Sequence, residues 1–341
     1  MERGKMSKRY YVLALLVCLV LVVSACKQSG TTTSGAPRKP FIGGTSGLTI
    51  NFVKDSPLPE VTDDSSFGFK AIVQLKNEGE TKIEKNNVKV NIVGFDPEDF
   101  GATISEITEQ VPDDDLEPKK MDAEGNQIEG TTTFVTIPKN KDFVPKKFTG
   151  NTEFTFRADV CYAYQTRANA KLCILKDMIN VRDGSLCKPT ESRTVHSSSA
   201  PVQVTSLRQS VIGKDKLSFS FDITLSGNLD IFRDKSDTTP SSSFDAACPR
   251  EARKRREVEN KVKVEITATG DPIVENIKCG GLDSQNSGVV TLVSNKRTLT
   301  CTADLNTNRI DLEKPFDITL SYNILDNKET KVLVKHLADT S

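Results

Sequence analysis

The sequence predicts an all-β protein of two tandem antiparallel β-sandwiches, and three observations predict it. Hydrophobic residues recur with period two along most of the chain. No stretch between these runs carries the 3.6-residue repeat of an amphipathic helix. Beyond the first 26 residues the cysteines number six, an even set that favours disulfide bracing in an oxidising compartment. The 341 residues are enough for two cores of ordinary size.

The chain opens on a basic segment (Arg3, Lys5, Lys8, Arg9), an apolar run from Tyr10 to Ala25 that includes Cys18, and then Val23-Ser24-Ala25-Cys26. A membrane-spanning helix needs roughly 20 apolar residues, and this run of about 16 stops at small residues and a cysteine. The segment resembles a prokaryotic lipoprotein signal peptide. That resemblance implies removal of residues 1–25, lipidation of the Cys26 thiol, and a mature chain that is extracytoplasmic and held to the cell membrane by its lipid. An uncleaved anchor would leave the rest of the chain on the same side. Residues 26–47 follow as a tether built from Gly, Ser, Thr and Pro, with too little apolar content to offset its ordering entropy. As a coil it reaches on the order of 25 Å.

The first sandwich is expected over 48–197. Its half-buried strands are read from Leu48, Ile50 and Phe52, from Phe67 through Leu75, and from Val88, Val90 and Ile92. The longest one-faced run is Phe154 to Tyr164, followed by Ala168 to Ile174 across a turn placed at Gln165–Arg167, so that a hairpin closes the domain. The Ser- and Pro-bearing stretch 197–201 marks the boundary, and a second sandwich is expected over 198–341. Its strands are read from Val202 and Val204; Leu217 to Leu225; Val262 to Ile266; Leu299 to Ala303; Phe316 to Tyr322; and Val332 and Val334. Many short strands with polar turns are the pattern of immunoglobulin-like sandwiches.

Strand parity constrains the cysteines. Cys161 and Cys173 fall on the polar-facing side and are symmetric about residue 167, which predicts a cross-strand disulfide. Cys279, in phase with Ile273 and Ile277, and Cys301, in phase with Leu299 and Leu305, point inward and predict a core disulfide. Cys187 and Cys248 pair by elimination. No C-x-x-C spacing or neighbouring His points to a metal, and no cofactor is expected.

Charges balance at 46 basic against 46 acidic; four bases and one acid fall within 1–25, leaving 42 against 45. Nucleic acid is therefore not an expected partner. The histidines are two: His196 in the boundary stretch, and His336, in phase with Val332 and Val334, which reads as a strand-edge or satisfied core residue. GGTSG at 43–47 lacks the G-x-S-x-G spacing of a nucleophile elbow. Residues 96–129 hold twelve acids against Lys119 and Lys120, densest at Asp113, Asp114 and Asp115. This acidic insertion lacks the ordered spacing of an EF-hand and is the candidate partner-facing loop. Arg250–Lys261 is a basic ramp interleaved with glutamates.

The stretch GLTINFVKDSPLPEV from Gly47, FGFKAIVQLKNEGE from Phe67, the CYAYQT and KLC segments and the KPFDITLSYNI strand together resemble immunoglobulin-like, adhesion-related modules of archaeal and other prokaryotic surface lipoproteins. The resemblance implies a fold and a location rather than a reaction. The expected function is a non-catalytic, lipid-anchored binding, adhesion or scaffold component of the cell envelope, with a protein or envelope-polymer partner. An accessory subunit of a larger envelope assembly comes second, and an enzyme working through carboxylates third.

Overall fold

In the computed structural model, residues 39–64, 67–236, 244–268, 270 and 272–338 are described. The expected signal peptide, Cys18, Cys26 and most of the tether lie outside them. The alternating runs become strands in this order: β1 (Leu48–Phe52), β2 (Glu60–Thr62), β3 (Ala71–Asn77), β4 (Val88–Val93), β5 (Lys120–Met121), β6 (Gln127–Ile128), β7 (Thr132–Ile137), β8 (Thr152–Ile174) and β9 (Ser192–Arg193). There follow β10 (Val195–Ser197), β11 (Val202–Gly213), β12 (Lys216–Leu225), β13 (Asp230–Phe232), β14 (Lys261–Ala268), β15 (Val274–Cys279), β16 (Ser287–Thr291), β17 (Lys296–Leu305) and β18 (Leu312–Lys335). The protein is an all-β sandwich structure, antiparallel throughout except where β2 runs parallel to the end of β18.

One sheet is shared by everything else. β8 and β18 pair antiparallel from Leu312↔Ile174 to Val334↔Thr152. The three-stranded sheet β1-β3-β7 covers the first half of β8, where β4 and β2 complete the shared sheet. The five-stranded sheet β15-β17-β12-β11-β9 covers the other half, where β10, β14 and β16 flank the long pair. Aromatic contacts across the layers fix the facing: Phe69 with Phe156 at 5.9 Å in the first layer pair, Phe219 with Phe316 at 5.3 Å in the second.

Two sequence expectations are corrected here. The turn at Gln165–Arg167 does not exist, because the alternation never breaks phase. Even-numbered positions from Phe156 to Ile174 all face the core, and Thr166 fills the place where the turn was expected, fully buried. The boundary at 197/198 does not divide two sheets either. The end of β18, read as belonging to the second domain, completes the first sandwich beside β8, and the described residues from Pro40 onward form one unit.

The Ser- and Pro-bearing stretch at the waist is buried rather than solvated, because two tyrosines, a threonine and a glutamate satisfy polar groups of it and of Val202 beside it. Tyr164 donates its hydroxyl to the Ser199 carbonyl at 3.1 Å, and Thr166 donates to the Val202 carbonyl at 2.6 Å while sharing a hydrogen bond with Tyr322. Burial pushes the Tyr162, Tyr164 and Tyr322 phenols up, so they stay neutral donors. Glu80 accepts from the backbone amides of Ile42, Gly43 and Ser199 at 2.7–2.9 Å, fixing the start of the folded body to this waist.

Gly79 lies where these segments meet. A Cβ there would stand 1.8 Å from Tyr164 Oη and 2.9 Å from the carbonyl oxygens of Ser46 and Ser199. Gly79→Ala is expected to cost about 2–3 kcal/mol through overpacking, read as a lowered urea midpoint. Tyr164→Phe in the same background removes the clashing oxygen and is expected to recover part of that loss.

Both sandwiches close their open sides with irregular chain. In the first, the acidic insertion pairs Gln110 with the edge of β4 through two bonds to Val90, then turns so that Asp113 N donates to the Phe134 carbonyl of β7. In the second, β9 pairs with β11 of one sheet, and β10 with β8 of the other. Covering strand edges in this way removes templates for unwanted pairing.

Candidate functional site

Between β13 and β14, residues 244–258 lie across the outer face of β4, β8 and β18 as an arm. Its last part, Ala252–Val258, is a short helix, because ARKRREV is rich in helix formers and places opposite charges at helical spacing. This is the basic ramp of the sequence. Its cations are largely answered within the arm: Lys254 by Glu251 at 3.3 Å, Arg253 by Glu257 at 3.8 Å, and Arg255 by Glu259 and by Asp230 at 2.8 Å.

The arm is fastened by a disulfide between Cys161 on β8 and Cys248. Beside it Arg250 reaches Asp159 at 3.2 Å, and Asn323 Nδ2 donates to the Ala247 carbonyl at 3.2 Å. Under the arm lies a cleft of about 840 Å³. Its floor is the outer face of the shared sheet: Lys89 and Asn91 on β4, Cys161 on β8 and Asn323 on β18. One wall is the Thr108–Glu109 turn, held by Glu109 N donating to Asn91 Oδ1 at 2.9 Å. The other is the arm itself. Asn323 is buried, and its Oδ1 accepts no hydrogen bond among the described residues. Sequence reading missed Asn323, since an Asn on the polar parity of a strand looks like any solvated position.

The disulfides partly overturn the sequence reading. Cys279–Cys301 forms as expected, joining β15 to β17 at directly opposed positions. Cys161–Cys173 does not form. With no turn between them, the two are 12 residues apart on one strand, about 40 Å at 3.3 Å per residue, far beyond disulfide reach. Cys173 instead bonds Cys187, closing a loop with a sequence separation of 14, and Cys161 bonds Cys248 at a separation of 87; Cys187–Cys248 is thereby excluded. Three bridges belong to an oxidising, extracytoplasmic environment.

The acidic insertion presents less free charge than its sequence implies. Asp115 accepts from Lys85 N at 3.0 Å and pairs with Lys82 at 3.0 Å, both holding its carboxyl below the ordinary value. Lys82 also meets Glu117, Lys141 meets Glu106 at 2.7 Å, and Lys146 meets Asp99. Asp113 gives its carbonyl to Lys85 Nζ, and Asp114 N donates to Thr133. Of this triad Asp113 and Asp114 are exposed, while Asp115 is half-buried between its lysine partners. No group of three or more His, Cys, Asp or Glu able to hold a metal occurs among the described residues.

His196 lies in β10 at the covered edge. His336 follows β18 and sets Nδ1 2.8 Å from Asp63 Oδ2. Asp63 also accepts from the Leu337 and Phe148 amides at 2.9 Å, and these bonds, with His336, hold its carboxyl far below the ordinary 3.8. A depressed folded-state pKa contributes stability above the unfolded value, lost as pH falls through the folded one. Asp63→Asn is therefore expected to lower stability at neutral pH, with the difference from wild type shrinking as the medium is acidified below about pH 4. Paired urea titrations across pH 2–7 measure it.

At the far end of the second sandwich the Cys173–Cys187 loop turns Met178 inward and leaves Ile179, Val181 and Leu186 exposed, with Ile310 exposed on the neighbouring segment. Asp177 stiffens the loop by accepting from Ile179 N and Asn180 N at 3.0 Å. At its base the buried Arg309 donates to the carbonyls of Leu175, Lys176, Lys214 and Asn306 and pairs with Asp215 at 2.6 Å. Among the described residues no helix is long and apolar enough to cross a membrane.

No family model matches the chain. No curated protein matches it either. Among solved structures, the secreted serine protease VesC from Vibrio cholerae is similar at 7% identity and a TM-score of 0.17, over 81% of this chain and 50% of its own. The chain thus spans about half the length of that protein. The partial N-terminal region of an enterococcal surface protein is similar at 9% identity and a TM-score of 0.17, over 91% of this chain and 99% of its own. At these scores neither likeness carries an argument about function.

Proposed function

We propose that this chain is a lipid-anchored protein displayed on the outer side of the cell membrane, acting without catalysis as a binding, adhesion or scaffold component of the envelope. The observation that carries this reading is the combination of the Val-Ser-Ala-Cys sequence at 23–26 with three disulfides in the body that follows. A thiol-lipidated leader and oxidised cysteines require the same side of the membrane. The cleft under the arm gives such a body a place to bind, and the one-piece sheet gives it stiffness.

The test is metabolic labelling with a radioactive fatty acid, with intact mass measured on the detergent-extracted product. Label on the wild type and none on Cys26→Ala, with the wild type cleaved by protease added to whole cells, is the expected result. A full-length, unmodified N-terminal region overturns it.

A second reading, the accessory subunit of a larger assembly, is favoured by the exposed aliphatic tip of Ile179, Val181, Leu186 and Ile310. The covered sheet edges and the lysine-paired insertion are poorer docking surfaces than that tip. Stoichiometric co-purification after mild detergent extraction, abolished by Ile179→Asp with Leu186→Asp, is what this reading expects.

A further inference from the structure

We infer that the tip closed by Cys173–Cys187 docks onto the lipid surface of the membrane that holds the chain, its aliphatic side chains entering the headgroup–acyl boundary while Lys176, Arg182 and Lys214 meet lipid phosphates. Ile179 is 61% exposed, Leu186 63% and Ile310 69%, and Val181 joins Ile179 in a groove shared with the three bases. Aliphatic side chains gathered on one exposed surface mark an interaction site. The disulfide and the Asp177 hydrogen bonds already hold the loop, so docking orders little new chain.

The charges of the tip sort by sign. Its carboxylates are spent within the fold: Asp177 on the amides of Ile179 and Asn180, Asp215 on Arg309, and Asp311 on Lys176 N at 2.6 Å. Lys176, Arg182 and Lys214 are exposed and form no ion pair among the described residues, and of the acids in the loop only Asp183 is left unanswered in the same way. Free cations around exposed aliphatics match an anionic lipid surface, where each base is worth roughly fivefold in partitioning.

This docking deepens the reading of the chain as membrane-anchored and rests on it. The folded body starts at the waist, where the Arg167 guanidinium lies over the Phe41 ring, 5.9 Å from its centroid. From Arg167 to Ile174 at the tip, β8 runs about 23 Å at 3.3 Å per residue. The chain from Cys26 to Lys39 spans at most about 50 Å. A body held at Cys26 can therefore set its tip on the bilayer and cannot drift far from it, which makes docking an intramolecular step. A soluble partner at the same tip has no such advantage.

The chain contains no tryptophan, so one placed at the tip is a unique reporter. Full-length Leu186→Trp protein is extracted in detergent and added to preformed vesicles of equal phosphatidylglycerol and phosphatidylcholine with brominated acyl chains. Its emission is expected to shift to shorter wavelength and to be quenched by the bromine. Phe134→Trp, at an exposed position of β7 in the first sandwich, is expected to stay unquenched. Adding Lys176→Gln, Arg182→Gln and Lys214→Gln is expected to lower the ratio of docked to undocked tip about a hundredfold, at roughly fivefold per base. If Leu186→Trp does not fold, Ile310→Trp takes its place. Quenching unchanged by the three glutamines, or equal at position 134, overturns the proposal, as does an unquenched tip cross-linked to a stoichiometric protein. Flotation of the wild type reports the anchor separately. Floated protein with an unquenched tip overturns docking and leaves the anchor standing; quenching at the tip with Cys26 unlipidated leaves docking standing; protein that does not float overturns both.

Discussion

Replacing Cys161 and Cys248 together by alanine is expected to destabilise the protein by about 4–5 kcal/mol, since the bridge closes a sequence separation of 87 and the chain-entropy cost grows with loop length. The same treatment of Cys173 and Cys187, at a separation of 14, is expected to cost about 3 kcal/mol. The larger loss has a local signature. Without the bridge the arm keeps the Arg250–Asp159 pair, the Asn323–Ala247 bond and its attachments near β13, so trypsin should cut first at Arg250, Arg253 and Lys254. Urea denaturation gives the two stabilities, and mass spectrometry of the first tryptic fragments locates the opening. A smaller effect for the 161/248 pair than for 173/187, or first cuts outside the arm, would refute this account of how the arm is held.

Arg309→Met is expected to cost about 3–5 kcal/mol, because the guanidinium is buried and its removal strands the groups that accept from it. Four carbonyls, of Leu175, Lys176, Lys214 and Asn306, lose their donor, and Asp215 loses its partner. Arg309→Lys should rescue little, since an ammonium cannot span acceptors that the planar fork reaches at once. Thermal unfolding reads the stability, and hydrogen exchange should accelerate through 174–186 at the tip. Near-wild-type stability in Arg309→Met would show that these carbonyls find other donors.

The strands themselves were legible, because period-two alternation reports burial on one face directly; Leu217 to Leu225 and Phe316 to Tyr322 lie inside β12 and β18 as read. What alternation does not report is where a strand stops. Thr166 is polar, so the run Phe154–Ile174 looked interrupted, although a threonine with a carbonyl and a tyrosine hydroxyl to bond is at home in a core. That one misreading produced the hairpin and the Cys161–Cys173 bridge together. The Cys279–Cys301 bridge was legible because both residues keep inward parity on adjacent strands.

The waist was illegible for a different reason. Ser198, Ser199 and Ala200 have the composition of a linker, and most of the groups that satisfy them when buried, the Arg167 backbone, Tyr164, Glu80 and the Gly44 carbonyl, are distant in sequence. The cleft depends on the Cys161–Cys248 connection and on Asn323, neither of which has a local signal.

The long β8–β18 pair has a mechanical consequence. A pull applied between the two ends of the body runs parallel to these strands, so their cross-strand bonds are loaded together in shear instead of being unzipped one after another. The body should therefore behave under tension as a strut without a hinge, passing load from end to end before either half begins to yield.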